Sequence, residues 1–133
     1  MSEENVELAR QAYGAYNREG IDGILGYLDP AVEWRNPIDS PNAGVFVGPE
    51  GVREWQRMVD DAFEEMHFEP ERIEELPDGR ILAVLRFRMR ARASEVTAEV
   101  PFAHLITWRD GKATALSMYT SEAAALEAAG LSE

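Results

Sequence analysis

Cysteine is absent from this 133-residue chain, which excludes a disulfide framework, thiolate zinc ligands and a thiol nucleophile. Lysine is almost absent as well: twelve of the 13 basic residues are arginine, and Lys112, read as sitting in a turn, is the only Schiff-base candidate. Positive charge is scarce overall. Against 25 acidic residues it leaves a formal net charge of −12, which repels polyphosphates and anionic lipid and argues against nucleic-acid or membrane partners. No apolar run approaches the roughly 20 residues needed to cross a bilayer. The opening stretch Met1 to Glu7 is acidic and polar, unlike a signal or transit peptide, so a cytoplasmic location is expected. Glycine-rich phosphate loops and a GxSxG elbow are also missing. The acidic cluster Glu64, Glu65, His67, Glu69 and Glu71 holds a single histidine and straddles a helix end, so it reads as solvated surface. No metal and no cofactor are expected.

What remains is an ordinary globular balance, 45% hydrophobic and 29% charged, in a length suited to one domain over 1–133. Ser2 is placed to cap a helix whose apolar stripe is Val6, Ala9, Tyr13 and Tyr16, ending near Gly20. A short helix over 22–28 stops at Asp29-Pro30, and a strand follows over 32–36. A turn-rich loop leads to Gly48-Pro49-Glu50, which opens a third helix with the stripe Val52, Trp55, Val59, Phe63 and Met66. From Phe68 to Thr120 the pattern is that of antiparallel strands, with turns at Pro77-Asp78-Gly79 and Asp110-Gly111. Ser121 caps a last helix stopped by Gly130. This predicts an α+β domain, a curved sheet wrapped around helices.

Register sharpens the reading. Arg86, Arg88, Arg90 and Arg92 alternate with Leu85, Phe87, Met89 and Ala91, so one strand has a cationic and an apolar face. With 93–96 as the connecting loop, Leu85 falls opposite His104, Phe87 opposite Phe102, Met89 opposite Val100 and Arg90 opposite Glu99. The Asp110-Gly111 hairpin then sets Ile106 opposite Ala115, His104 opposite Ser117 and Phe102 opposite Tyr119. A three-residue loop would shift this pairing by one and bring Met118 in. His104 becomes the one group titrating near neutral pH on an apolar concave face. Leu105 and Leu116 point outward beside the arginine row, which suggests a covered convex surface.

Four stretches carry a family resemblance: VEWRNP (32–37), GPEGVREW (48–55), VPFAHLITWRDGK (100–112) and MYTSEAAALEAAGL (118–131). Together they resemble the SnoaL-like, polyketide cyclase-like branch of the nuclear transport factor 2-like and ketosteroid isomerase-like superfamily. The resemblance implies a cystatin-like cone with a deep apolar pocket between sheet and helices, and a homodimer through the convex sheet face. It implies roles position by position. Tyr13 matches the first-helix tyrosine of ketosteroid isomerases, whose base position falls on Asn36 before Pro37. Trp34 and Asn36 echo the aromatic-x-Asn pair of limonene epoxide hydrolases. His104 fits the histidine of the polyketide cyclases, while the partner acid falls near Met118 or Tyr119. Each known mechanism thus loses at least one carboxylate, and Asp39 in the rim loop is the candidate replacement.

The resulting expectation is a pocket for a small apolar, ring-containing molecule. His104, Asn36 and Asp39 are the candidate catalytic residues. Tyr13, Trp34, Trp55, Phe87, Met89, Phe102, Ile106, Ser117 and Tyr119 are the candidate ligand contacts. Two functions share that pocket: a cofactor-independent isomerase, cyclase or dehydratase working by proton transfer, and a non-enzymatic carrier or sensor. Protonation of His104 below about pH 6 is expected to weaken binding of a neutral ligand.

Overall fold

The computed structural model describes residues 2–36 and 44–131. Helix α1 (Ser2–Glu19) carries Glu3 and Glu4 in its first turn, where carboxylates complement the helix dipole. It stops before Gly20, whose φ of 72° is left-handed backbone that a glycine adopts without strain. Ala9, Tyr13 and Ala15 are buried along it, with Val6 and Tyr16 half-buried beside them.

The expected second helix is shorter than its apolar spacing suggests. It comprises α2 (Ile21–Ile24) and one 3-10 turn (Leu25–Tyr27). Strand β1 (Leu28–Arg35) already begins at Leu28, so Asp29-Pro30 lies inside a strand instead of ending a helix. Proline is tolerated there because the pairing is irregular between Leu28 and Glu33, where no regular ladder bond is required of it.

Strand β2 (Val45–Val47) leads directly into α3 (Gly48–Ala62), which has proline in its first turn. Phe63 and Met66 do not continue the α3 stripe. Phe63 is extended at φ −127°, ψ 140°, and strand β3 (Phe63–Glu75) starts with it. The remaining elements are β4 (Ile81–Ala91), β5 (Ala98–Arg109), β6 (Lys112–Tyr119) and α4 (Glu122–Ala128), the last capped by the Ser121 hydroxyl, which accepts from the Ala124 N–H at 3.1 Å.

The strands form one open sheet in the order β2-β1-β6-β5-β4-β3. Every pairing is antiparallel except β1 with β6, which is parallel. The chain is therefore an α+β cone with a mixed sheet, wrapped around α1, α2 and α3. Among the described residues no helix is long and apolar enough to cross a membrane.

Two registers differ from expectation. Between β4 and β5 the ladder is offset by two residues: Leu85 pairs with Phe102, Ala83 with His104, and Arg88 with Glu99. The cause lies at the end of β4. Arg90 and Ala91 pair with β3 only, and the Arg92 N–H donates to the Ala62 carbonyl, so the connection to β5 starts earlier. An offset of two preserves which face each residue occupies.

Between β5 and β6 the difference is one residue, and that changes faces. The Asp110-Gly111 turn has both residues at positive φ (54° and 79°), and Arg109 pairs with Lys112 as expected. Trp108 pairs with Ala113, but Thr107 pairs with Ala115, which leaves Thr114 as an extra residue. The Thr114 hydroxyl donates to the Thr107 carbonyl at 3.3 Å. This bulge turns Leu116 and Met118 inward and Ser117 and Tyr119 outward, reversing the expectation for Leu116, Ser117 and Tyr119.

The core divides accordingly. The concave face buries Ile81, Leu85, Ile106 and Leu116 against the helices. A smaller cluster on the convex face joins Leu76, Leu82, Ala103 and Leu105 to Ala125 of α4. Leu105 does point outward, but this chain's own helix covers it. Arg72 of β3 pairs with Glu122 and ties α4 in place. The arginine row is internally balanced: Arg86 lies 3.6 Å from both Glu71 and Glu99, and Arg90 lies 2.9 Å from Glu64.

Candidate functional site

Between α1, the α2 segment and the concave sheet face lies a cavity of about 60 Å³. Each wall follows from an amphipathic pattern. Alternation along β5 brings His104, Ile106 and Trp108 to the same side, and the Thr114 bulge adds Leu116 and Met118 from β6. The stripe of α1 adds Ala9, Ala12, Tyr13 and Tyr16, while Trp34, Trp55 and Phe68 come from β1, α3 and β3. Ile24, Tyr27, Leu28 and Ala113 complete the lining. No Asp, Glu, Lys or Arg lines the cavity among the described residues.

Its polar centre is a pair of side chains. The Tyr13 hydroxyl lies 2.6 Å from His104 Nδ1, and the two rings stack with centroids 5.7 Å apart. Phe68 and Phe102 pack against the imidazole at 5.4 and 5.8 Å. This apolar surrounding disfavours the imidazolium and lowers the His104 pKa to about 3. Burial pushes the Tyr13 phenol up, so it keeps its proton.

With both groups neutral, Tyr13 O–H donates to Nδ1 and the imidazole proton sits on Nε2. The reverse arrangement would leave the phenol proton without an acceptor among the described residues. His104 Nε2 itself has no hydrogen-bond partner among them, and neither has Nε1 of Trp34 or Trp108. Burial thus keeps the ring uncharged at pH 6, the threshold on which the expected pH response rested.

A second polar chain reaches the cavity through Tyr16. Its hydroxyl donates to Gln56 Oε1 at 2.6 Å, and Gln56 Nε2 donates to Asp60 Oδ1 at 2.8 Å. Burial is the main cause raising the Tyr16 phenol.

Of the residues singled out from sequence, Tyr13, Trp34, Trp55, His104 and Ile106 line the cavity. Trp34 and Trp55 meet edge-on at 5.4 Å. Phe87, Met89 and Phe102 share the concave side but lie outside the lining: Phe87 stacks on Phe68 at 4.7 Å, and Phe102 fills the space beside His104. Ser117 and Tyr119 sit on the opposite face, for the reason given by the bulge. Asn36 stands at the end of β1, its N–H donating to the Gly44 carbonyl, and is not part of the lining. Asp39 lies outside the described residues. Tyr27 and Phe68 escaped sequence reading as site residues. Tyr27 fell inside an expected helix, and Phe68 carried only a strand-start signal.

The family model of the SnoaL-like domain matches residues 9–116. Among solved structures, TerC co-crystallised with polyporic acid is 28% identical, with 92% of this chain and 95% of that chain covered and a TM-score of 0.78. An NTF2-like protein of unknown function from Burkholderia pseudomallei is 25% identical at the same coverage and TM-score. A protein of ketosteroid isomerase-like fold from Catenulispora acidiphila, in complex with trimethylamine, shares the fold at 17% identity, 94% and 93% coverage and a TM-score of 0.74. Among curated proteins none matches this chain.

Proposed function

Because the chain belongs to the SnoaL-like domain family, whose fold suggests small-molecule binding or isomerase-type chemistry, we propose that it binds an uncharged, ring-containing apolar molecule in the cavity beside His104. The observation that carries this reading is the neutral Tyr13–His104 pair buried in an apolar lining with the imidazole Nε2 still unpartnered. Such a site is costly for an ion to enter, since no opposite charge lines it to offset lost hydration. A carbonyl or hydroxyl oxygen, by contrast, fits the Nε2 donor. TerC, a structural relative, was co-crystallised with polyporic acid, which supports an organic ligand for a chain of this fold.

The cavity of about 60 Å³ is smaller than the roughly 150 Å³ that accommodates benzene in an engineered core. A ring therefore enters by displacing part of the wall. Beside the buried Ile24, the segment 21–27 is tied to its neighbours by two exposed polar contacts: Lys112 Nζ to the Gly26 carbonyl at 2.8 Å and Arg53 to Asp22 at 3.0 Å. Contacts of this kind contribute little and yield readily.

Binding without turnover is the favoured form of the proposal. Proton abstraction from carbon needs a base, and a histidine with a pKa near 3 is a poor one. The 2.6 Å Tyr13–His104 bond supports a second form, in which the pair donates to an enolate oxygen during a cofactor-independent isomerisation, cyclisation or dehydration. Replacement of His104 by Gln separates the two: an enzyme loses about 100-fold in rate or more, whereas a carrier has no rate to lose.

The direct test titrates 1-naphthol and 1-naphthoate by fluorescence and looks for a retained molecule by native mass spectrometry of freshly purified protein. Naphthol is expected to bind at least about 10-fold tighter than naphthoate. Tighter naphthoate binding would sink the reading. The expected homodimer through the convex face belongs to the same proposal, and light scattering at 14.9 kDa would count against it.

A further inference from the structure

Resting on the reading of the cavity as a ligand site, we propose that the ligand enters through a gate formed by Tyr27. Its ring closes the gap between one end of the sheet and helix α1, and the turn Leu25–Tyr27 moves to open it. The starting observation is where the cavity wall is thin. Among the described residues, four that line the cavity are only half-buried: Ala12, Tyr16, Tyr27 and Trp108. Each therefore reaches from cavity to solvent. Tyr16 is fastened, with its hydroxyl on Gln56 at 2.6 Å and its ring against Phe68 at 5.8 Å. The thin wall that remains is the side made by Ala12, Tyr27 and Trp108.

Register brings those three together. Trp108 of β5 pairs with Ala113 of β6, and Ala113 pairs with Leu28 of β1. This row across the sheet ends at the residue that follows Tyr27. From there the Tyr27 phenol reaches α1, where its hydroxyl donates to Oε1 of Gln11, the neighbour of Ala12, at 3.5 Å. One side chain thus bridges sheet and helix over the cavity.

The bridge is weakly held. The other two lining phenols make bonds of 2.6 Å, whereas the exposed Tyr27 bond is at the outer limit of a hydrogen bond. The backbone shows the same division. Helix α2 is anchored, because Ile24 is buried and a Cβ on Gly23 would stand 2.6 Å from the Ala15 carbonyl oxygen. The turn after it has room: Gly26 is exposed, and a Cβ there would meet no atom within 4 Å. Between the buried Ile24 and the paired Leu28, Gly26 is the residue able to absorb a change of backbone angles, and its carbonyl is latched by Lys112 Nζ at 2.8 Å.

A gate governs rates in both directions, whereas a plain wall contact governs escape alone. Stopped-flow fluorescence with 1-naphthol separates the two. Tyr27→Ala should raise the association rate constant about 5-fold or more, with dissociation rising at least as much. Tyr27→Phe keeps the ring and drops the Gln11 bond, and Lys112→Met releases the latch from outside the lining. Each should raise both rate constants by about 2-fold and leave the affinity unchanged. Faster dissociation of Tyr27→Ala with unchanged association would make Tyr27 a wall contact and overturn the gate while leaving the pocket intact. Acceleration by Gln56→Leu, which frees Tyr16, in place of Tyr27→Ala would overturn it equally. If 1-naphthol binds neither wild type nor Tyr27→Ala, the pocket reading fails and this inference with it. Should Tyr27→Ala fold poorly, Tyr27→Phe and Lys112→Met decide.

Discussion

The two faces of the β4–β5 ladder are made by the same residues in alternation, yet they differ in almost every physical respect. The concave side holds Ile81, Leu85, Phe87 and His104, closed over by helices and almost devoid of charge. The convex side holds Arg86, Arg88 and Glu99, half-exposed and paired in loose ion pairs of 3.6 to 3.9 Å. Only where α4 crosses, over Leu82, Ala103 and Leu105, does the convex face become apolar. The contrast separates two uses of a strand. Removal of water makes the concave side energetically sensitive and chemically selective, whereas the convex side stays solvated and tolerant.

Substitution on matched positions should expose that difference most strongly. Leu85 is fully buried, and Leu85→Ala is expected to cost about 2–5 kcal/mol in denaturant unfolding. A loss under about 1 kcal/mol would mean that the concave face is loosely packed.

The next effect is a pH dependence that only the concave face can show. Native His104 has its pKa lowered to about 3, against about 6.5 when unfolded. Between those values the unfolded chain binds a proton that the native chain refuses, so stability drops as pH falls through this window. Between pH 7 and pH 4 the wild type should lose about 3 kcal/mol more than His104→Gln. The carboxylates titrate in both proteins and cancel in the difference. Parallel profiles would show that His104 is hydrated.

Smallest is the convex counterpart. Arg88 is about half-exposed and 3.9 Å from Glu99, so Arg88→Ala should change stability by no more than about 0.5 kcal/mol at moderate salt. A larger loss at the same protein concentration that diminishes on dilution would identify this face as a contact between chains.

Much of this was readable in advance, because the signals are local. The alternation Leu85-Arg86-Phe87-Arg88-Met89 assigns the faces of β4 whatever it pairs with, and Asp110-Gly111 specifies its own turn. Tyr13 on the α1 stripe and His104 on the inward parity of β5 were legible for the same reason. Less legible were features in which two periods compete. Phe63 and Met66 fit a helical stripe and a strand equally well, and Tyr27 lies where a helix pattern gives way to β1. Ser117 and Tyr119 were misplaced by one residue, because nothing in Thr114 itself announces a bulge.

Sequence alone thus determined composition-level chemistry, the α+β class, the two-faced strands and the solitary histidine of the concave side, since each depends on neighbours within a few positions. Tertiary structure decided the registers, the parallel β1–β6 pairing and hence which side chains share a cavity. The physical reason is that strand pairing is a long-range choice, settled by where β4 leaves β5 for β3 and by one extra residue at Thr114. That choice set Tyr13, from the first helix, 2.6 Å from His104, 91 residues away in the chain.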